Sequence, residues 1–127
     1  MSVRFEGYAA VWDRVDRAGD VFRTGAFAGA QVVPLLCQHR GGAVGVIEAI
    51  GEDARGLRVG GRVDAPALAA AVRAGALAGL SVGYRPLAVA RGRARELIRV
   101  QLIEVSLVAV PMQPAARIDR VYQEENV

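Results

Sequence analysis

The chain contains no lysine, so all 16 of its basic residues are arginine. It also has a single cysteine, a single histidine and few aromatic residues, which make up 6% of the sequence. Cys37 alone excludes an internal disulfide, and without a second cysteine or histidine the chain cannot assemble a zinc-type ligand set. No metal and no cofactor are therefore expected. No apolar run reaches the roughly 18 residues that a membrane-crossing helix needs. The opening Met1-Ser2-Val3-Arg4-Phe5-Glu6 has no signal-peptide core. A cytoplasmic protein with no membrane partner is the expectation.

What remains is a globular composition. At 127 residues, 53% hydrophobic and 23% charged, the chain fits one domain able to bury a core. That domain is expected over residues 1–122, with a polar, mobile tail at 123–127. The formal charge is +3. Arg91, Arg93, Arg95 and Arg99 cluster, but no aromatic residue interleaves them, so they read as a solvated hairpin rather than a nucleic-acid surface.

Strand signals dominate the pattern. Residues 3–12 read as a first strand and 13–20 as a loop, and Gly25-Ala26-Phe27 opens a short turn of helix. A strand is expected from Val32 to His39. Val44–Ile50 and Leu57–Val63 form a hairpin across the turn-rich Gly51–Gly56, with Leu57, Val59 and Val63 pointing inward. Asp64-Ala65-Pro66 starts a helix that ends at Gly75. Two long strands, about 80–90 and 96–110, then pair across Gly92. Period-two alternation puts Ser81, Gly83 and Arg85 on one side of the first. In the second it puts Ile98, Val100, Leu102, Glu104 and Ser106 together, so Glu104 interrupts an apolar face.

Three of these segments each set a reactive group among apolar neighbours: Leu35-Leu36-Cys37-Gln38-His39, Gly79-Leu80-Ser81-Val82-Gly83-Tyr84 and Leu102-Ile103-Glu104-Val105-Ser106-Leu107. Polar groups in such surroundings require hydrogen-bond partners, and these three can serve one another. A nucleophilic serine needs a base and a third group to orient that base. His39 is the one imidazole available, Ser81 the nucleophile candidate and Glu104 the leading acid. Glu48, Asp64, Asp16 and Asp20 are more simply solvated or capping carboxylates. The order His, Ser, acid and the lack of Gly-x-Ser-x-Gly exclude an ordinary α/β-hydrolase.

These segments, with Gly7-Tyr8-Ala9-Ala10-Val11, Asp16, Asp20 and Gly25-Ala26-Phe27, resemble the prohead maturation proteases of tailed bacteriophages, a family similar in fold to herpesvirus assemblins. The resemblance implies an α+β, mainly β fold: a closed or nearly closed antiparallel β-barrel flanked by a few helices. It implies that Ser81 attacks the scissile carbonyl, His39 transfers protons and Glu104 orients the imidazole. An acyl-transfer site of this kind also needs an oxyanion hole, for which backbone amides or Arg117 in the loop after Val110 are the candidates. The single histidine departs from the Ser-His-His triad of assemblins, so an acid must stand in for the second histidine.

The function so implied is a serine endopeptidase that cleaves the scaffolding segment from the major capsid protein inside the assembling prohead, in the bacterial host cytoplasm, and also cleaves itself. The partners are then the capsid protein and a second copy of the chain, the homodimer being left open. The competing reading is a non-catalytic β-barrel that serves as a capsid scaffold or interaction module.

Overall fold

The first strand, β1 (Val3–Val11), follows from its alternation: Val3 and Phe5 are fully buried while Arg4 and Glu6 turn outward. Where the sequence pattern marks no strand, at 20–22 and 118–123, the computed structural model, which describes residues 2–123, has one each, and in all seven strands and one helix follow β1. They are β2 (Asp20–Phe22), β3 (Pro34–Cys37), β4 (Arg40–Glu52), β5 (Gly56–Val63), α1 (Pro66–Arg73), β6 (Gly79–Arg91), β7 (Arg95–Val108) and β8 (Ile118–Gln123).

The β4–β5 hairpin forms where expected, and Leu57, Val59 and Val63 are at most 1% exposed. Its turn is held by Asp53, whose Oδ1 accepts the Arg55 and Gly56 amides. The helix starts with Pro66 and ends before Gly75, whose φ of 81° is open to glycine without strain. Its N-cap is Ala65 rather than Asp64; Asp64 instead accepts bonds from Arg62 and Ser2. The Gly25-Ala26-Phe27 segment makes successive hydrogen-bonded turns and no helix.

Strand β4 begins four residues earlier than the composition implied, because β3 and β4 are joined by only two residues, Gln38 and His39. Both have positive φ, 54° and 59°. That is the pattern of a type I′ hairpin turn, which usually carries Asn-Gly.

The strands run β2-β7-β3-β4-β5-β1-β8, with β6 paired to β7. Two pairings are parallel, β2 with β7 and β3 with β7, so the sheet is not the purely antiparallel one expected. It is also not closed by a ladder. Its ends meet through an isolated bridge between Gly79 and Arg117 and through bonds from Leu80 N to Ala116 O and Ile118 N to Ala78 O. The segment leading into β8 contains Pro111 and Pro114, which have no N–H to extend a ladder. The described residues hold one short helix rather than several.

The core lies between the curled strands. Phe5, Phe22, Phe27, Leu35, Leu80, Leu97 and Leu107 are among its fully buried side chains. Phe22 packs against Phe27 and edge-on to Tyr84, with centroids 5.1 and 5.0 Å apart. At the far end Gln123 of β8 pairs with Val3, and residues 124–127 of the expected tail lie outside the described residues.

Candidate active site

Along β6, Leu80, Val82 and Tyr84 alternate with Ser81, Gly83 and Arg85. Directly opposed residues of an antiparallel pair project to the same side. Leu80 faces Leu107, Val82 faces Val105 and Tyr84 faces Leu102, while Ser81 faces Ser106 and Gly83 faces Glu104. Between the last two apolar pairings β7 carries one extra residue, the 53% exposed Ile103. This bulge corrects the strict alternation read from sequence: it turns Glu104 away from the side of Leu102 and Val100 and onto the side of Ser81.

Gly83 makes that placement feasible. A Cβ there would lie 2.3 Å from Glu104 Oε1, so the carboxylate occupies the space a side chain would fill.

His39 arrives from the other side of β7. Leu36 and Cys37 of β3 pair in parallel with Ser106 and Leu107, and Gln38 N donates to Leu107 O at 2.9 Å. The tight turn then folds the imidazole over Glu104, and His39 Nδ1 bonds Glu104 Oε1. Ser106 Oγ donates to Glu104 Oε2 at 2.7 Å and accepts the His39 backbone N–H at 3.1 Å. Glu104 is 8% exposed and Ser106 0%, whereas the His39 side chain remains 41% exposed. The carboxylate is thus sequestered while one edge of the ring is open.

Ser81, 6% exposed, borders the same cavity as His39, a space of about 100 Å³ walled also by Phe22, Tyr84 and Met112. His39 and Glu104 are directly bonded; among the described residues no hydrogen bond joins Ser81 to His39. Catalytic bonds of this kind are often long before substrate binds. A larger groove of about 520 Å³ runs along β1, β4 and β5, and none of the three residues borders it.

The neighbouring carboxylates correct the expectation that they are solvated or capping groups. Asp20 is 3% exposed and receives both a bidentate Arg95 guanidinium, at 2.7 and 2.8 Å, and the Tyr84 hydroxyl at 3.0 Å. The Arg95 bonds hold its carboxyl below the usual range. Asp16, 7% exposed, borders the Ser81 cavity and accepts the Ala18 and Asp20 amides; burial nevertheless pushes its carboxyl up. Burial, followed by the bond to Asp20, raises the Tyr84 hydroxyl.

Arg117 does not border the cavity; its Nε donates to Pro114 O. Met112 and Gln113, from the same loop, do border it. Ser106 and Gly83 are the site residues that reactivity alone passes over. Ser106 lies two positions from Glu104 and Gly83 two from Ser81, spacings that become informative once the strands are paired. Among the described residues no set of three His, Cys, Asp or Glu side chains converges as metal ligands, and no helix is long and apolar enough to cross a membrane.

The fold is shared with herpesvirus proteases. KSHV protease in complex with a hexapeptide phosphonate inhibitor aligns over 98% of this chain and 66% of its own length, with a TM-score of 0.65 and 14% identity. Another KSHV protease structure covers 98% and 62%, with a TM-score of 0.60 and 16% identity. At such identities the likeness is one of fold. The chain belongs to the caudovirus prohead serine protease family, whose profile matches residues 1–127. It is similar to the prohead protease of Enterobacteria phage HK97, 35% identical over 92 residues, 63% of this chain. The match covers 41% of that relative, so the chain spans about two fifths of its length.

Proposed function

We propose that the chain is a serine endopeptidase of capsid maturation, which removes the scaffolding segment of a major capsid protein within the assembling prohead and cleaves itself. The observation that carries this reading is the His39–Glu104 pair beside a cavity shared with Ser81, in a chain of the prohead protease family.

With Nδ1 committed to Glu104, the imidazole has Nε2 for the Ser81 proton. Ser81 Oγ attacks the scissile carbonyl carbon as its proton passes to His39, forming a tetrahedral oxyanion. The C–N bond then breaks and His39 gives the proton to the departing amine, leaving an ester on Ser81. Water attacks that ester, His39 takes the water's proton and returns it to Ser81 Oγ, and the new carboxyl end leaves. Glu104 orients the ring and stabilises the imidazolium. Backbone amides of the loop after Val110, which brings Met112 and Gln113 to the cavity, are the proposed oxyanion donors.

The test is the intact mass of the capsid protein after co-expression with wild type, Ser81→Ala or His39→Ala. A discrete truncation produced by wild type alone is the expected result. Triad losses reach about a million-fold, so residual cleavage will not blur it. Uncut capsid protein in all three, in assembled particles, would instead favour the scaffold reading.

A further inference from the structure

Ser106 takes no part in the proton transfers just described, yet among the described residues it is the one that is hydrogen-bonded to both His39 and Glu104. Its side chain is wholly buried, and its hydroxyl is used twice: the proton goes to Glu104 Oε2 and a lone pair receives the His39 N–H. A serine hydroxyl carries one donor and two acceptor sites, so one small group can fix a carboxylate and a backbone amide together.

The backbone it holds is strained. Gln38 and His39 both occupy the left-handed region, where a Cβ crowds the following carbonyl oxygen. Such a conformation persists when the surroundings over-determine it. Here the constraints are Gln38 N on Leu107 O, His39 N on Ser106 Oγ, and Nδ1 on Glu104. Two of the three converge on the short stretch Glu104–Ser106.

We propose that Ser106 is a positioning residue of the active site, which locks the strained His39 turn and the Glu104 carboxylate in one geometry so that the imidazole presents its free nitrogen toward Ser81. The inference rests on the Ser-His-Glu reading of the site. The role belongs to the hydroxyl rather than to the volume of the side chain. Removing it leaves His39 N–H without its acceptor and frees one oxygen of Glu104, so ring and carboxylate both gain freedom, while no hydrogen bond to Ser81, its cross-strand neighbour, is lost.

A substrate-independent probe tests this. An alkyl fluorophosphonate reacts with an activated serine by forming an Oγ–P bond with loss of fluoride, the hydroxyl proton passing to the base. Labelling rates are compared for wild type, His39→Ala, Ser106→Ala and Ser106→Cys, with circular dichroism reporting folding. Alanine is slightly smaller than serine and cysteine somewhat larger with only a weak donor and acceptor, so a loss shared by both Ser106 variants is due to the hydrogen bonds rather than to side-chain size. The expected loss is about 100-fold, the scale of a small misplacement of catalytic groups.

The second readout uses the fact that His39 is the chain's single histidine, so its ring signals need no assignment. In a Ser81→Ala background, proton NMR is expected to show the far-downfield Nδ1–H signal of a carboxylate-bonded imidazole. Adding Ser106→Ala is expected to remove or broaden it while the methyl spectrum remains that of a folded protein. Wild-type labelling rates in both Ser106 variants, or an unchanged Nδ1–H signal, overturn the proposal and leave the triad reading intact. If the wild-type chain is not labelled at Ser81, the nucleophile assignment fails instead, and the NMR signal alone decides whether Ser106 positions His39.

Discussion

The hydrogen bond between His39 and Glu104 depends on the absence of a side chain at Gly83. Gly83→Ala places a methyl group against the carboxylate, and β6 cannot retreat because it is paired to β7 along its whole length. The expected result is a loss of about 100-fold in proteolytic rate, read as a fall in kcat, from a protein that still folds. Unaltered kcat would show that Glu104 has another productive position. Asp20 obeys a different logic. Its carboxyl is held low mainly by Arg95, so the pair contributes stability that is complete above the ordinary aspartate pKa and is lost as pH falls through the lower native value. Arg95 is 39% exposed, which moderates the effect. Asp20→Asn is expected to lower stability at neutral pH by about 1–3 kcal/mol. Chemical denaturation from pH 7 to pH 2 should show the variant losing less stability than wild type on acidification; parallel curves would dissociate Asp20 from the acid limb. All three proposed triad residues could be picked out by type, because ionisable and nucleophilic groups stand out in apolar strands. Ser106 and Gly83 could not, because their parts appear only when β6 and β7 are in register.

Strand β7 shows why the elements were easier to place than their faces. Its apolar alternation marks it as a strand, and the β6–β7 hairpin, the β4–β5 hairpin and α1 all appear where the pattern put them. The bulge at Ile103 has no local signature, since isoleucine is an ordinary strand residue, yet it decides on which side Glu104 lies. The same limit holds for the β3–β4 turn. Gln38-His39 lacks the Asn-Gly marking of a type I′ turn, and the strain is met by bonds to β7 rather than by local preference. Glycine at position 38 would remove the left-handed penalty while leaving the Gln38 main-chain bond to Leu107 in place. The Gln38 side chain makes only a 3.4 Å contact with Ala109 N, so little is lost with it. Gln38→Gly is therefore expected to stabilise the protein by about 0.5–1 kcal/mol, after allowance for the greater freedom of glycine in the unfolded chain. Thermal unfolding would register this as a rise in Tm of a few degrees. A lower Tm would mean that the side chain, and not the main chain, secures the turn.

Across the whole molecule, the open question is what joins the ends of a sheet that no ladder closes. The strand order could not be read along the chain, because β7 pairs not only with its hairpin neighbour β6 but also with β2 and β3 from distant positions, and both of these pairings are parallel. The junction is made by side chain as well as by backbone. Gln113, 4% exposed, receives the Val11 amide on Oε1 at 2.8 Å and donates through Nε2 to Val11 O at 2.9 Å and Arg14 O at 3.3 Å. One amide thus ties the end of β1 to the loop between β7 and β8, across 102 residues of sequence, and borders the Ser81 cavity as it does so. Gln113→Ala leaves the Val11 N–H without that acceptor in a buried setting, where an unmet donor costs about 1–3 kcal/mol, and removes side-chain packing as well. Because β1 also pairs with β5 and β8, the loss should be felt by the sheet as a unit. The denaturation midpoint is expected to fall by an amount equivalent to about 2–3 kcal/mol with an unchanged slope against denaturant, the mark of one cooperative transition. A lower slope would show instead that the loop detaches while the strands stay folded. A midpoint equal to wild type would mean that the bridge at Gly79–Arg117 and its neighbouring backbone bonds hold the sheet's ends together without Gln113.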